Sequence, residues 1–184
     1  MISSGTILTY VRAYLTTYSV SELGMASSVA FVCTMVNGVC TVVFYLLGGW
    51  LSDRFGRRPV MILSAVLLAA CALPTFLVLV HFRPAAVLYS ATALLTALNG
   101  LTQGPVITAI IESLPRHVRA GALGTTYALS VAIFGGSTQF MVAWLIGVTG
   151  SLLVPGWYLL VATLVGLAAM IGLRETLPRI HAAR

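Results

Sequence analysis

The chain has 184 residues, 59% of them hydrophobic and 8% charged, more apolar surface than a soluble domain of this length can hide, so the bilayer is its solvent. The formal charge of +6 comes from ten arginines and no lysine. All but Arg12 stand outside the apolar runs, not in a basic patch interleaved with aromatics, which argues against a nucleic-acid partner.

Apolar runs long enough to cross roughly 30 Å of hydrocarbon fall near 2–21, 29–51, 60–80, 85–111, 120–147 and 157–173, predicting an all-α membrane protein of six crossings in one domain spanning 1–184. The first run lacks the charged n-region and cleavage site of a signal peptide. Tyr10, Tyr14 and Thr17 recur in it at helical spacing and share one face, a candidate polar wall. Arg12 points to another side, about 15 Å along the helix at 1.5 Å per residue. An arginine at such depth costs roughly 2.5–3.5 kcal/mol on insertion scales and needs a cavity or a partner. It is the best candidate to grip a substrate carboxylate, with structural pairing weighted equally.

The second run carries Asn37 and ends in the turn Gly49 to Pro59, where Asp53 stands beside Arg54, Arg57 and Arg58. A carboxylate at such a junction can accept charge-assisted hydrogen bonds and act as a latch; the bland alternative is a charge cluster that only sets orientation. Asn99 and Gln103 stack at i, i+4 in the fourth run, Gln103 beside Gly104 and Pro105. Interhelical hydrogen bonding is favoured for Asn37 and Asn99, and a cavity role for Gln103. Glu112, Arg116 and Arg119 form a second charged turn, read as a Glu112–Arg119 pair across it or, with nearly equal weight, as a solvated loop that only biases orientation. In the fifth run Tyr127, Ser130 and Gln139 make a polar stripe around Gly135 and Gly136, read as packing glycines first and a hinge second. A tail, 174–184, ends the chain.

Arginine clusters follow the second, fourth and sixth runs and only Arg83 lies on the other face, so the positive-inside rule puts both termini in the cytoplasm. Cys33, Cys40 and Cys71 sit within crossings without CxxC spacing, which argues against a disulfide framework or a metal site. The sequence has no pairing of nucleophile and base, no phosphate-binding loop and no dinucleotide-binding turn, so neither an enzyme nor a resident cofactor is expected.

Several stretches together resemble the metabolite:proton symporter family of the major facilitator superfamily, in its C-terminal half. They are Tyr10 to Leu15, Asn37, Gly48 to Pro59, Glu112 to Gly121, Tyr127, Phe134 to Gln139, Trp144 to Ile146, and Thr149 with Gly150. The turn motif is similar to that of the whole superfamily; the Phe-Gly-Gly stretch and Trp-Leu-Ile narrow the resemblance to this family. Ala128 and Gln139 depart from its commoner pattern, where Asn and Pro are frequent. The resemblance implies six helices equivalent to half of a twelve-helix inner-membrane carrier, with the proton as coupling ion. Related members carry citrate, tricarballylate, 2-oxoglutarate, shikimate, or proline and betaine. It also implies a cytoplasmic gating motif of Gly49, Asp53, Arg54, Gly56, Arg57 and Arg58, joined by Glu112 and Arg119. Arg12, Tyr10, Tyr14, Gln103, Tyr127, Ser130 and Gln139 are the candidate cavity residues. No crossing holds an Asp or Glu, so the carboxylate that couples protons is expected in a second, N-terminal half. The expected partners are the bilayer, a small organic acid or zwitterion, and that half or a second copy of the chain. Two rival readings stand beside this one: a non-transporting fragment of a truncated gene, and a homo-oligomeric small carrier or channel.

Overall fold

The computed structural model describes residues 1–21, 24–82, 84–115 and 117–172. Arg83, Arg116 and the tail with Arg174, Arg179 and Arg184 lie outside the described residues. Seven α-helices follow in order: α1 (Ile2–Ser21), α2 (Ser27–Phe55), α3 (Arg57–His81), α4 (Ala85–Ser113), α5 (Arg119–Ser130), α6 (Gly136–Thr149) and α7 (Val154–Ile171). A five-residue π turn, Val131–Gly135, joins α5 to α6, so the fifth expected crossing is one 31-residue helical stretch with an irregular middle.

Five stretches are long and apolar enough to cross a membrane: α2, α3, α4, α5 through α6, and α7. The first expected crossing, α1, has the expected bounds but is more polar than these five. Its position explains this. It packs against α2, α4, α5, the π turn, α6 and α7, and half of its residues are buried. A helix enclosed by protein needs less apolar surface than one facing lipid. Within α1 the hydroxyls of Thr6 and Thr9 bond back to carbonyls four residues earlier.

Local chemistry marks the ends of the elements. Gly56 adopts φ 104° between α2 and α3, a region that disfavours side chains, and its N–H bonds to the Ser52 carbonyl. Pro155 stands in the first turn of α7, where a missing N–H costs nothing.

Packing within the bundle uses two devices. One is a buried apolar cluster in which Leu15, Tyr18, Leu68, Phe76, Leu88, Leu95 and Leu159 meet; the Tyr18 hydroxyl donates to the Leu152 carbonyl at 2.8 Å. The other is backbone contact between α2 and α4. A Cβ on Gly48 would lie 2.9 Å from the Gly100 carbonyl oxygen, one on Gly100 2.9 Å from the Phe44 Cβ, and one on Gly104 2.9 Å from the Tyr45 carbonyl oxygen. Small residues drive helix association in lipid through such close approach. Polar ties reinforce it: Cys33 Sγ lies 3.0 Å from Thr92 Oγ1, and Thr102 donates to Ser64 at 3.0 Å across α3 and α4. Gly100→Val forces α2 and α4 apart and is expected to cost roughly 1–3 kcal/mol, as overpacking does, read as a lower melting temperature of the purified chain in detergent. Gly38→Val, with open space around its Cβ, is the control and should leave melting unchanged.

Candidate functional site

A cavity of about 680 Å³ opens between α1, α2, α4 and α5, within the range of small-molecule sites. Its wall is mostly apolar. The polar groups are Thr6, Thr9 and Tyr10 from α1, Tyr45 from α2, Gln103 from α4 and Tyr127 from α5. Gln103 is buried because it rests on Gly5, where a Cβ would collide with the amide, and its Nε2 has no hydrogen-bond partner. Tyr10 packs its ring on Gly135, where a Cβ would come within 2.7 Å of the ring, so the π turn and α1 fit together only through glycine.

The expected cavity residues divide by position. Tyr10, Gln103 and Tyr127 line the cavity. Tyr14 is buried in the apolar cluster, its ring 6.3 Å from that of Tyr18. Ser130 is buried at 3.3 Å from the Ser3 hydroxyl, beside a separate shallow hollow between α1 and α5. Gln139 is exposed on α6. Tyr45, Thr6 and Thr9 were not among the sequence candidates, yet Asn37, Thr41 and Tyr45 repeat every four residues and mark one polar face of α2.

Arg12 is 3% exposed and is not among the residues that line the cavity. Its Nη1 donates to Asn37 Oδ1 at 3.1 Å, and Thr96 donates to the same oxygen at 2.9 Å. The Asn37 amide therefore joins α1, α2 and α4 at one point. Arg12 Nε has no hydrogen-bond partner and no carboxylate lies within ion-pair distance among the described residues. Asn99 is fully buried with both amide atoms unpaired. Leaving buried donors unbonded costs about 1–3 kcal/mol each, so this seam holds unused polar capacity. Tyr45 lies within electrostatic reach of both Arg12 and Tyr127.

At the helix ends far from the α6–α7 turn, the charged motif forms a network around Arg57, which is 8% exposed. Arg57 pairs with Asp53, donates to Ser52 Oγ at 2.8 Å, and makes a two-pronged contact with Glu112 at 3.0 and 3.4 Å. Ser52 in turn donates to the Gly49 carbonyl at 2.8 Å. Arg58 donates to the Ile171 carbonyl at 2.7 Å, a cation on the C-terminal end of α7. Arg54 lies over the rings of Trp50 and Phe55 at 5.8 and 6.0 Å. Each arginine of the motif thus has its own task, and together they tie the ends of α2, α3, α4 and α7. The expected pairing of Glu112 with Arg119 is replaced by Glu112 with Arg57. Arg119 begins α5 and folds back onto the Leu114 carbonyl at 3.1 Å. Ser52 was also missed: its small side chain is what lets the guanidinium enter. Ser52→Ala removes one charged hydrogen bond and should destabilise the purified chain by about 1.5–3 kcal/mol, read as a fall in melting temperature that Arg54→Ala does not produce.

The model of the Major Facilitator Superfamily matches residues 1–182. Over 159 residues the chain is 31% identical to the citrate-proton symporter of Klebsiella pneumoniae, covering 86% of this chain and 36% of that protein. The citrate-proton symporter of Salmonella typhi is 31% identical over 92% of this chain and 41% of its own length. The proline/betaine transporter of Escherichia coli K12 is 30% identical over 78% of this chain and 30% of its own. The chain therefore spans between 30% and 41% of the length of these relatives.

Proposed function

As the chain belongs to the major facilitator superfamily, a family of membrane transporters and not of enzymes, we propose that it is the C-terminal half of a twelve-helix proton-coupled symporter for small carboxylate-bearing metabolites. The observation that carries this reading is the cavity between α1, α2, α4 and α5, an apolar hollow with a few convergent polar groups. In this reading α1 is also a crossing and brings the number to six, both termini face the cytoplasm of the inner membrane, and the cavity is one wall of a midplane site completed by a second six-helix half. Arg12 supplies the positive charge for a carboxylate, and Tyr10, Gln103 and Tyr127 orient the rest of the molecule. The Arg57 network is the cytoplasmic latch: it holds the four helix ends together in one state and opens in the other. The acid that couples protons belongs to the other half, since no Asp or Glu falls within the six apolar runs of this sequence.

The apolar faces of α2 and of α5 through α6 support a partner bundle. Phe31, Met35, Val39, Leu46 and Trp50 on α2 are exposed, as are Ile133, Phe140 and Trp144 along α5 through α6.

The test is uptake of radiolabelled citrate, 2-oxoglutarate, shikimate and proline into vesicles with an imposed proton gradient. The 184-residue chain is compared with a twelve-helix chain in which an N-terminal six-helix half precedes it. Gradient-dependent uptake by the twelve-helix chain alone is expected. Uptake by the short chain would replace the half-carrier with a self-assembling one, and silence from both would overturn the symporter reading.

A further inference from the structure

We infer that Gly135, which is not among the residues that line the cavity, sets the size of ligand the cavity admits by seating the Tyr10 ring at its wall. This deepens the carrier reading and rests on it in taking the cavity as the substrate's.

Tyr10 lines the cavity with a half-buried ring. Its hydroxyl bonds to no other described residue, unlike that of Tyr18, which is tied to the Leu152 carbonyl. Packing therefore holds the ring, and the hydroxyl-bearing half of it rests on Gly135. A Cβ at that position would lie 2.7 Å from Tyr10 Cε2, 2.9 Å from Cζ and 3.2 Å from Cδ2. Carbon atoms in good contact stand about 3.5–4.0 Å apart, so a methyl group there must displace either the backbone or the ring by about 1 Å.

The two sides are not equally free to move. Gly135 closes the π turn Val131–Gly135, in which the Gly136 N–H bonds to the Val131 carbonyl. Ser137 donates to the Ile133 carbonyl at 2.5 Å, and Thr138, fully buried, donates to the Phe134 carbonyl. The turn is thus braced on both sides of the glycine. The tyrosine ring, by contrast, turns about two single bonds and has a hollow of about 680 Å³ beside it. At Gly100 the obstructing atoms include the backbone of Phe44 and Tyr45, so added volume there separates helices. At Gly135 added volume enters the cavity through Tyr10. Gly135 is a positioning residue: bare, it lets the ring lie back and leaves room for a broader ligand. Single π turns recur at functional sites, and this one brings backbone without a side chain against a wall ring.

The test labels a thiol inside the cavity with reagents of two sizes, using the 184-residue chain in lipid nanodiscs. With Cys33→Ser, Cys40→Ala and Cys71→Ala, the change Ala13→Cys supplies the only thiol; Ala13 lines the cavity one turn beyond Tyr10 on α1. Modification by methyl and by benzyl methanethiosulfonate is timed by mass spectrometry. Gly135→Ala is expected to slow the benzyl reagent at least about fivefold relative to the methyl one, the penalty of modest overpacking, with the melting temperature unchanged. Adding Tyr10→Ala should restore the benzyl rate, because the ring is the intruder. Gly136→Ala, whose Cβ meets open space, should leave the ratio as it was. An unchanged ratio in Gly135→Ala, or one that Tyr10→Ala does not restore, overturns the assignment. A lowered melting temperature or failure to fold overturns it as well, since the backbone and not the ring would then be the yielding side. Tyr10→Ala alone should raise the benzyl to methyl ratio, and no change there would show that the ring does not limit the cavity. These readouts do not depend on transport; the carrier reading is decided separately by the gradient-driven uptake above.

Discussion

In a twelve-helix carrier containing this chain, Arg12→Gln is expected to lower proton-driven uptake by at least about tenfold while leaving the amount of protein in the membrane unchanged. The size follows from losing one hydrogen-bonded charge pair with the substrate, worth about 1.5–3 kcal/mol, and 1.4 kcal/mol is already tenfold. Insertion should not suffer, because removing the guanidinium relieves roughly 2.5–3.5 kcal/mol of membrane cost. A glutamine amide can still donate to Asn37 Oδ1, so the junction of α1, α2 and α4 at that oxygen retains a donor. Arg12→Lys keeps the charge without the fork and should fall between the two. Uptake per unit of membrane protein, quantified by immunoblot, is the measurement. Unchanged uptake would leave Arg12 as a structural fastener to Asn37 and remove it from the substrate.

Arg57→Gln should act on a different kinetic constant. Asp53, Ser52 and Glu112 all converge on this one guanidinium, so its loss releases the ends of α2 and α4 at once. Maximal uptake velocity is expected to fall more than about tenfold, with the half-saturating concentration changed less than about twofold, because the network lies at the helix ends and the cavity lining does not include it. An interaction that favours one of two states shifts their balance by no more than its differential strength, which for charged hydrogen bonds reaches about 3 kcal/mol. Asp53→Asn should be milder, since Asp53 is largely exposed and Arg57 keeps Glu112 and Ser52. Initial-rate uptake at several substrate concentrations separates the two constants. If both variants transport at the parental velocity, the motif serves only to set orientation.

Much of the architecture was legible because lipid imposes a simple rule: runs of about twenty apolar residues become helices, and arginines gather at their ends. The starts and ends of α1, α3 and α4 fall within a few residues of expectation for this reason. The π turn at Val131–Gly135 was not legible, because its residues are as apolar and helix-compatible as their neighbours and only the fit of Tyr10 against Gly135 gives it a place. The cavity was half legible. Tyr10, Gln103 and Tyr127 stand out by residue type within apolar runs, whereas Tyr45, toward the end of the second run, reads equally as an interfacial tyrosine. Tyr14 illustrates the opposite failure. It shares a face with Tyr10 by spacing, but α1 is enclosed on nearly every side, so adjacent turns of one face meet different surroundings. The partner of Glu112 could not be read from spacing, since Arg57 and Arg119 are both cations near the same end of the bundle and only the fold decides which arrives.

The meeting of α2 and α4 through Gly48, Gly100 and Gly104 also bears on how such a chain can evolve. At Gly48 on α2, and at Gly100 and Gly104 opposite it on α4, any atom beyond hydrogen collides with the facing helix, so these three positions tolerate no substitution without a compensating change opposite. Along the other side, from Phe31 through Trp50, exposed apolar residues need only stay apolar. Mutational drift in α2 should therefore be one-sided, with a nearly frozen seam at Gly48 a few ångströms from a face that exchanges one apolar residue for another. A deep mutational scan of this helix would display that boundary as a stripe repeating with the helical period.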